Sequence, residues 1–278
     1  MKPRILLYPL FILLLSIFIG CSKEADIKPD ELKPAFTLPQ GNHPYDQKIL
    51  DFYNTYGCYI LYKFTKQDFE WNIASAIPYV ADQGDENYIG QSLEALDKNL
   101  FRFYPTGFLK VALPYKIILS SRIREVDLFL DTLDNPVNSV NTSSHFAFGR
   151  AGSSLETMTA DELKIMKSDL HKAFWAQAVG FDKIPFPPTF LTATNYVNVL
   201  SQTKAQYGVF MSDFDDAATP YNDFLGFIEV ITSKTQQELE QSLFLPQNDP
   251  KGKYRQKYNI IVNYYKQNYG VDLQAIVK

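Results

Sequence analysis

The sequence predicts an α+β fold whose C-terminal half is helical. The first half of the chain alternates helical patterns with short apolar runs of strand length, and the second half contains helical patterns only. The chain has 278 residues, of which 46% are hydrophobic, and this suits one globular domain of ordinary size or at most two. We therefore expect an N-terminal mixed sheet with helices, followed by a helical C-terminal half.

The first half of the chain contains two predicted helices and several predicted strands. The helices cover residues 46–56 and 86–104. Gly57 and Pro105 end these helices. The strands are short apolar runs, at residues 58–64, 113–120, 126–130 and 145–148. Residues 70–80 give an ambiguous pattern, which a strand broken at Pro78 would fit, and residues 134–144 are predicted to form a polar loop.

The longest predicted helix covers residues 159–180 and opens the second half. Thr159 and Glu162 have the spacing of a capping box, in which each side chain satisfies a backbone N–H group of the first turn. Gly180 is a suitable C-terminal stop. Apolar residues at helical spacing predict one buried stripe, formed by Leu163, Met166, Leu170 and Phe174.

Two further helices are predicted after a proline-rich loop at residues 181–194. Thr219 and Pro220 are typical of a helix start, with threonine as the cap and proline in the first turn. The last helix covers residues 253–269 and stops at Gly270. Its apolar stripe is formed by Tyr254, Tyr258, Ile261 and Tyr265.

The N-terminus has the pattern of a secretory signal, predicted to cover residues 1–20. Lys2 and Arg4 precede an apolar run, which is too short to predict a membrane span. Gly20 before Cys21 is the pattern of a lipoprotein, in which the chain is cut before the cysteine and the thiol is lipidated; the alternative is an ordinary signal peptide.

Residues 21–44 are predicted to form a lipidated tether, and residues 45–278 the folded domain. The tether contains four prolines and is otherwise mostly polar. Removal of residues 1–20 takes away two cations and changes the formal charge from −4 to −6. We therefore expect an acidic domain that is held at a membrane by its N-terminus.

Several function classes find no support in the sequence. There is no basic excess that would predict nucleic-acid binding, and no P-loop, nucleophile elbow or dinucleotide fingerprint. Cys58 is the single thiol of the predicted domain, so an internal disulfide is excluded there. It lies in an apolar run, which favours a small buried residue over a catalytic thiol.

The helix over residues 159–180 is where a zinc peptidase would carry the motif H-E-x-x-H. In that motif two histidines one turn apart hold the metal, and the glutamate activates water. This chain has His171, followed by Lys172 in place of the glutamate and Trp175 in place of the second histidine. Tryptophan has no lone pair for a metal, and lysine is a cation at neutral pH.

The order of several segments resembles the zinc-binding metallopeptidase lipoproteins of Bacteroidota, which are often encoded beside glycan-uptake systems. The resemblance covers residues 45–278 and rests on short pieces in a common order. These pieces are Tyr56-Gly57-Cys58-Tyr59-Ile60-Leu61-Tyr62, Pro187-Pro188-Thr189-Phe190, Tyr207-Gly208-Val209-Phe210, Asn222-Asp223-Phe224 and Tyr269-Gly270-Val271-Asp272-Leu273. The run Cys21-Ser22-Lys23-Glu24-Ala25-Asp26 is similar to the export signals of surface lipoproteins of that phylum, which favours the outer membrane.

This resemblance implies a zincin-like fold, but the sequence departs from the family at its chemical positions. His171 matches the first histidine, whereas Lys172, Trp175 and Asn222 replace the glutamate, the second histidine and a further acidic ligand. We therefore expect an inactive metallopeptidase-like domain without zinc, which acts as a binding or accessory component. The alternative is an active zinc peptidase with a displaced metal site.

The expected partners are the membrane, through Cys21, and a protein or glycan at the cell surface. In the family the strand before the motif helix forms the sheet edge on which substrate lies, and residues 145–148 are placed for that role. A two-histidine site would require His145 to converge with His171. Four acidic residues allow either a calcium site or turn and cap roles, the latter being favoured; they are Asp213, Asp215, Asp216 and Asp223.

Overall fold

The computed structural model of the chain describes residues 34–70, 77–127, 129, 131–135, 137–211 and 217–277. The chain divides into two units, residues 1–37 and residues 38–278, and the fold described below is that of the second unit. The predicted signal peptide and Cys21 lie outside the described residues, so both stay predictions. Within the described part of the chain, no helix is both long enough and apolar enough to cross a membrane.

A mixed sheet forms the N-terminal part of the domain. Its strands, in the described residues, are β1 (Tyr59–Leu61), β2 (Tyr79–Gln83), β3 (Lys116–Glu125), β4 (Ser139–Asn141) and β5 (His145–Phe148). The order across the sheet is β1-β3-β5-β4, and β2 pairs with the second half of β3. Strands β1, β3 and β5 are parallel, while β4 and β2 run antiparallel to their partners. Ile117 lies between Ile60 and Phe146, and all three side chains are buried, as expected for the centre of a parallel sheet.

The strand predicted at residues 113–120 begins later and extends further than expected, since β3 covers Lys116–Glu125 and includes the charged residues after position 120. The strand predicted at residues 126–130 is not found, because its described residues, 126, 127 and 129, belong to no named strand. The second half of β3 pairs with β2, and this pairing supplies hydrogen-bond partners for its backbone. The local sequence pattern does not predict this pairing. Val126 follows with an isolated bridge to Thr132.

The predicted edge strand at residues 145–148 is correct in its bounds and wrong in its position. β5 lies between β3 and β4, and its four residues are buried. The edge is β4, which lies within the predicted polar loop at residues 134–144. Three residues with a single buried side chain, Val140, are too few for a periodic signal.

The helices of the described residues are α1 (Pro44–Tyr56), α2 (Lys66–Glu70), α3 (Ile89–Asn99), α4 (Thr106–Ala112), α5 (Ala160–Gly180), α6 (Pro188–Thr192), α7 (Lys204–Tyr207), α8 (Pro220–Ser233), α9 (Gln236–Glu240) and α10 (Lys253–Tyr269). Short 3₁₀ helices occur at Phe101–Phe103, Ser153–Leu155, Tyr196–Asn198, Ser201–Thr203 and Leu273–Ala275. The α+β class with a helical C-terminal half is confirmed.

Several helix ends follow the cap residues read from the sequence, but two do not: α3 ends at Asn99, well before Pro105, and Gly180 is the last residue of α5, whose C-terminal cap is Phe181. Thr159 accepts a hydrogen bond from the backbone of Glu162, whose carboxylate accepts from the Thr159 N–H at 2.7 Å. The Thr219 hydroxyl caps α8 by accepting a hydrogen bond from the backbone N–H of Asn222. Gly57 and Gly270 end α1 and α10 in the left-handed conformation, with φ of 69° and 68°.

Helix α5 packs against α8 and against β4, and it carries most of its residues from 166 to 179 into the core. Met166, Leu170 and Phe174 are buried, as the predicted stripe requires. Leu163 is 38% exposed, because the first turns of α5 project from the domain. His171 and Trp175, on the neighbouring face, are buried as deeply as the stripe itself.

Residues 38–43, which the sequence assigns to the tether, contact the folded domain. The side-chain amide oxygen of Gln40, Oε1, accepts hydrogen bonds from the backbone N–H groups of Tyr62 and Lys63, at 2.8 and 3.2 Å. Leu38 packs against the main hydrophobic cluster. The ordered contacts of the domain therefore begin before residue 45.

Candidate functional site

Helix α5 presents His171 and Trp175 on one face, because residues four apart lie one above the other on a helix. Both side chains are fully buried. Tyr104, which follows the 3₁₀ helix Phe101–Phe103, places its hydroxyl between them. The Trp175 indole N–H donates to this hydroxyl at 3.0 Å, and the hydroxyl oxygen lies 2.7 Å from His171 Nδ1. We call these three side chains the buried relay.

The hydrogen-bond directions in the buried relay follow from the donor inventory. An indole N–H can only donate, so the Tyr104 oxygen accepts from Trp175 and its own proton is available for His171. Nδ1 of His171 is therefore an acceptor, and the neutral imidazole carries its proton on Nε2. This tautomer is assigned from the network.

The imidazole of His171 is held in its neutral form. Burial lowers the pKa of His171 to about 3, and the nearby charge of Lys167 acts in the same direction, while the backbone of Asn99 opposes the shift. The Nε2 atom of His171 is buried and forms no hydrogen bond with the described residues. Burial also raises the pKa of Tyr104 above its ordinary value. The relay is thus an uncharged, structural arrangement at neutral pH.

Aromatic rings pack around the buried relay on several sides. The neighbouring rings are those of Phe103, Phe108, Phe174, Phe224 and Tyr265. Their centroids lie between 4.5 and 5.8 Å from the ring of a relay member, which is the range of direct aromatic packing. The face of α5 that carries His171 and Trp175 is therefore part of the hydrophobic core.

Lys172 and Asn222 lie in a different environment, at the surface. The Lys172 ammonium group pairs with the carboxylate of Glu229 on α8 at 2.5 Å, and both side chains are about half exposed. Asn222 is exposed on the same helix. Both residues line a surface groove of about 520 Å³ together with Leu225 and Glu229. The four positions that the family resemblance assigns to the zinc-peptidase site are thus divided between the core and the surface.

The residues at these positions do not fit a zinc ion. Three protein ligands with available lone pairs are needed for a catalytic site. His171 is one nitrogen ligand, but the Trp175 indole offers only a donor and Lys172 is engaged with a carboxylate. Asn222 contributes a neutral amide at the surface. Among the described residues, no group of three or more His, Cys, Asp or Glu side chains is arranged to hold a metal.

His145, the first residue of β5, has its own set of contacts. Its Nδ1 lies 2.9 Å from the Thr142 hydroxyl and 3.2 Å from that of Ser144, and its ring packs against Phe69. None of these hydrogen-bond and ring partners of His145 belongs to the buried relay. Burial lowers the pKa of His145 to about 3, and the charge of Lys116 adds to the shift.

A buried ion pair in the helical half was missed by the sequence analysis. Asp223 of α8 and Lys257 of α10 are fully buried and lie 2.7 Å apart. The Asp223 carboxylate also accepts from the Tyr196 hydroxyl at 2.7 Å and from the Phe210 N–H at 2.8 Å. Lys257 donates to the Gly208 carbonyl at 2.9 Å. We call this set the buried charge pair and its partners.

The buried charge pair corrects the expectation for Asp223. The sequence favours a turn or cap role for the acidic residues around the start of α8, but Asp223 lies within α8 and joins it to α10 and to the segment around residue 210. Asp213, Asp215 and Asp216 lie outside the described residues. One signal was present: Lys257 falls at helical spacing within the stripe that begins at Tyr254, and a lysine on an apolar face requires a buried partner.

Cys58 is buried in the core, and burial raises the pKa of its thiol to about 12. A thiol in this state is not a nucleophile, since the thiolate is the reactive form. The expectation of a small buried residue is in accord with this environment.

No family model and no curated protein matches the chain. Among solved structures, the chain is similar to a candidate zinc-binding metallo-peptidase from Bacteroides caccae, with a TM-score of 0.55 and 16% identity. The similarity covers 84% of this chain and 88% of that one. At this level of identity the similarity concerns the fold. The chain has a metallopeptidase-like α+β fold, as the sequence predicts.

Proposed function

We propose that this protein is a non-catalytic lipoprotein of the outer membrane. Its metallopeptidase-like domain acts as a binding or accessory component, and a glycan-uptake system is the setting that the family resemblance suggests. Lipidation of Cys21 anchors the chain, and the acidic domain works at the membrane surface. The part of the proposal that rests on the structure is the loss of catalysis.

The position of Tyr104 carries this part of the proposal. In a zinc peptidase, the two histidines of H-E-x-x-H both direct a lone pair towards the metal, and His171 and Trp175 stand at these two positions here. Here the Tyr104 hydroxyl occupies the space between the two side chains and hydrogen-bonds to both. The lone pair of His171 Nδ1 is used by this hydroxyl, and Trp175 has none to offer.

The general base is also missing. A peptidase of this type needs a carboxylate beside the metal to take a proton from water. Lys172 stands at that position, is itself a proton donor, and is paired with Glu229. Restoration of the base alone would leave the metal ligands absent, so the loss of activity has two independent causes.

The test is metal analysis and a peptidase assay on the full-length protein, purified from membranes in detergent. We expect less than stoichiometric zinc by elemental analysis and no chelator-sensitive cleavage of unfolded casein. One zinc per chain, removed by a chelator together with peptidase activity, would instead establish the active peptidase with a displaced site.

A further inference from the structure

A groove between α1 and α3 has the chemistry of a ligand site and plays no part in the buried relay. Its volume is about 540 Å³, within the range of roughly 300–1,000 Å³ typical of small-molecule sites. The floor is apolar and the rim is charged. All of its lining residues belong to the described part of the chain. We propose that this groove binds a saccharide that carries a carboxylate, such as a uronic-acid oligosaccharide.

The floor of the groove presents aromatic rings at its surface. Phe52 and Tyr56 lie one turn apart on α1, both half-buried, with ring centroids 4.6 Å apart. Phe101 packs 5.2 Å from Phe52 and supports it from below. Leu93 and Ile60 complete the floor. The C–H groups on one face of a pyranose ring carry partial positive charge, and they are attracted to the negative face of an aromatic ring.

The rim of the groove offers donors and acceptors for hydroxyl groups. Lys48 pairs with Glu94 at 3.3 Å, and Arg102 pairs with Asp97 at 3.4 Å. Each of these four side chains is more than half exposed, so the pairs are weak and can exchange partners with a ligand. Carboxylate and guanidinium groups have two oxygens or several N–H groups in one plane, which suits two neighbouring hydroxyls of a sugar ring.

The charge of the rim favours an acidic saccharide. Lys98 is exposed on α3 and takes part in no ion pair or hydrogen bond among the described residues. The rim therefore holds two neutral pairs and one further cation, although the whole chain has a formal charge of −4. A ligand with one carboxylate per binding unit matches this pattern. A neutral polyhydroxylated ring would use the floor and the pairs but leave Lys98 without a partner.

This inference rests on the proposed function, because it names a ligand for a domain that binds and does not cleave. The two can fail separately: zinc and peptidase measurements decide the proposed function, and a saccharide titration decides the inference. A saccharide that binds to an active peptidase would leave the groove assignment intact.

The experiment titrates the full-length protein in detergent with trigalacturonate and with the neutral galactotriose, by isothermal calorimetry. We expect trigalacturonate to bind more tightly than galactotriose. Phe52→Leu keeps the apolar volume and removes the ring, and it should weaken both ligands by about fivefold. Lys98→Ala should weaken trigalacturonate by about threefold and leave galactotriose unchanged.

Lys110→Ala, a change of an exposed lysine on α4 outside the groove, is the matched control and should alter neither affinity. Circular dichroism of each variant checks that the fold is retained. Failure of the wild type to bind either saccharide would overturn the inference, as would binding that Phe52→Leu and Lys98→Ala both leave unchanged. Equal binding of the two ligands would overturn the assignment of Lys98.

Discussion

Restoration of the zinc-peptidase motif gives a direct test of the buried relay. The double substitution Lys172→Glu with Trp175→His recreates H-E-x-x-H in sequence. If α5 presented this face to an open cleft, the double variant would gain zinc affinity. The packing of Trp175 leads us to the opposite expectation: the variant loses stability and holds no stoichiometric zinc.

The expected loss can be worked out from the surroundings of Trp175. The side chain is fully buried and packs against the rings of Phe108, Phe224 and Tyr265. Truncation of a buried tryptophan to alanine costs about 3–5 kcal/mol, and histidine refills part of that volume. Loss of the hydrogen bond to Tyr104 adds about 1 kcal/mol. We therefore expect the free energy of unfolding to fall by about 3 kcal/mol.

The assay is urea denaturation followed by circular dichroism, with zinc measured after dialysis against the metal. Lys172→Glu alone is the first control, because it changes an exposed ion pair and should cost less than about 1 kcal/mol. Trp175→Phe is the second control, since it keeps most of the ring volume. Addition of Asn222→Glu should not create a site, because position 222 faces the surface groove. A double variant with wild-type stability and one tightly held zinc per chain would refute the reasoning.

Three further predictions concern burial and the anchor. Lys257→Met should lower the free energy of unfolding by about 3–5 kcal/mol, because it leaves Asp223 as an unpaired buried charge. In a double-mutant cycle measured by urea denaturation, the double variant Lys257→Met with Asp223→Asn should lose less stability than the two single variants lose in sum. His145 and His171 have pKa values of about 3 in the folded state against an ordinary 6.5, so the stability that depends on their neutral forms is fully present above pH 6.5 and is lost as pH falls. Between pH 7 and pH 5, each histidine should lower the free energy of unfolding by about 2 kcal/mol. A urea midpoint that is independent of pH over this interval would contradict the assignment. Cys21→Ser should abolish labelling by a radioactive fatty acid and release the chain from the membrane fraction, whereas an acylated variant would show that lipidation occurs elsewhere.

The buried charge pair shows how tertiary structure reassigns a residue. Asp223 comes four residues after a helix cap, and its local sequence is compatible with a turn or cap role. Its partner Lys257 is 34 positions away, and the Tyr196 and Phe210 groups that complete its hydrogen bonds come from a third segment. Removal of two charges from water is costly unless all of these groups converge. The helical spacing of Lys257 indicates a buried lysine, but no local pattern identifies Asp223 as its partner.

The sequence alone determined the features that depend on neighbouring residues. The capping box at Thr159, the glycine stop at Gly270 and the bounds of α10 arise from backbone chemistry within one or two turns. The same is true of the replacements at Lys172 and Trp175, because whether a side chain has a lone pair for a metal is a property of the residue itself.

Only the tertiary structure decided how those replacements are accommodated. The sequence could not show that Tyr104, 71 positions before Trp175, joins the two motif positions, or that β4 covers the edge of β5. It also could not separate the face of α5 that enters the core from the one that carries Lys172 to the surface. Burial and hydrogen-bond partners across the chain are set by the packing of distant segments, and a one-dimensional pattern contains no distance between them.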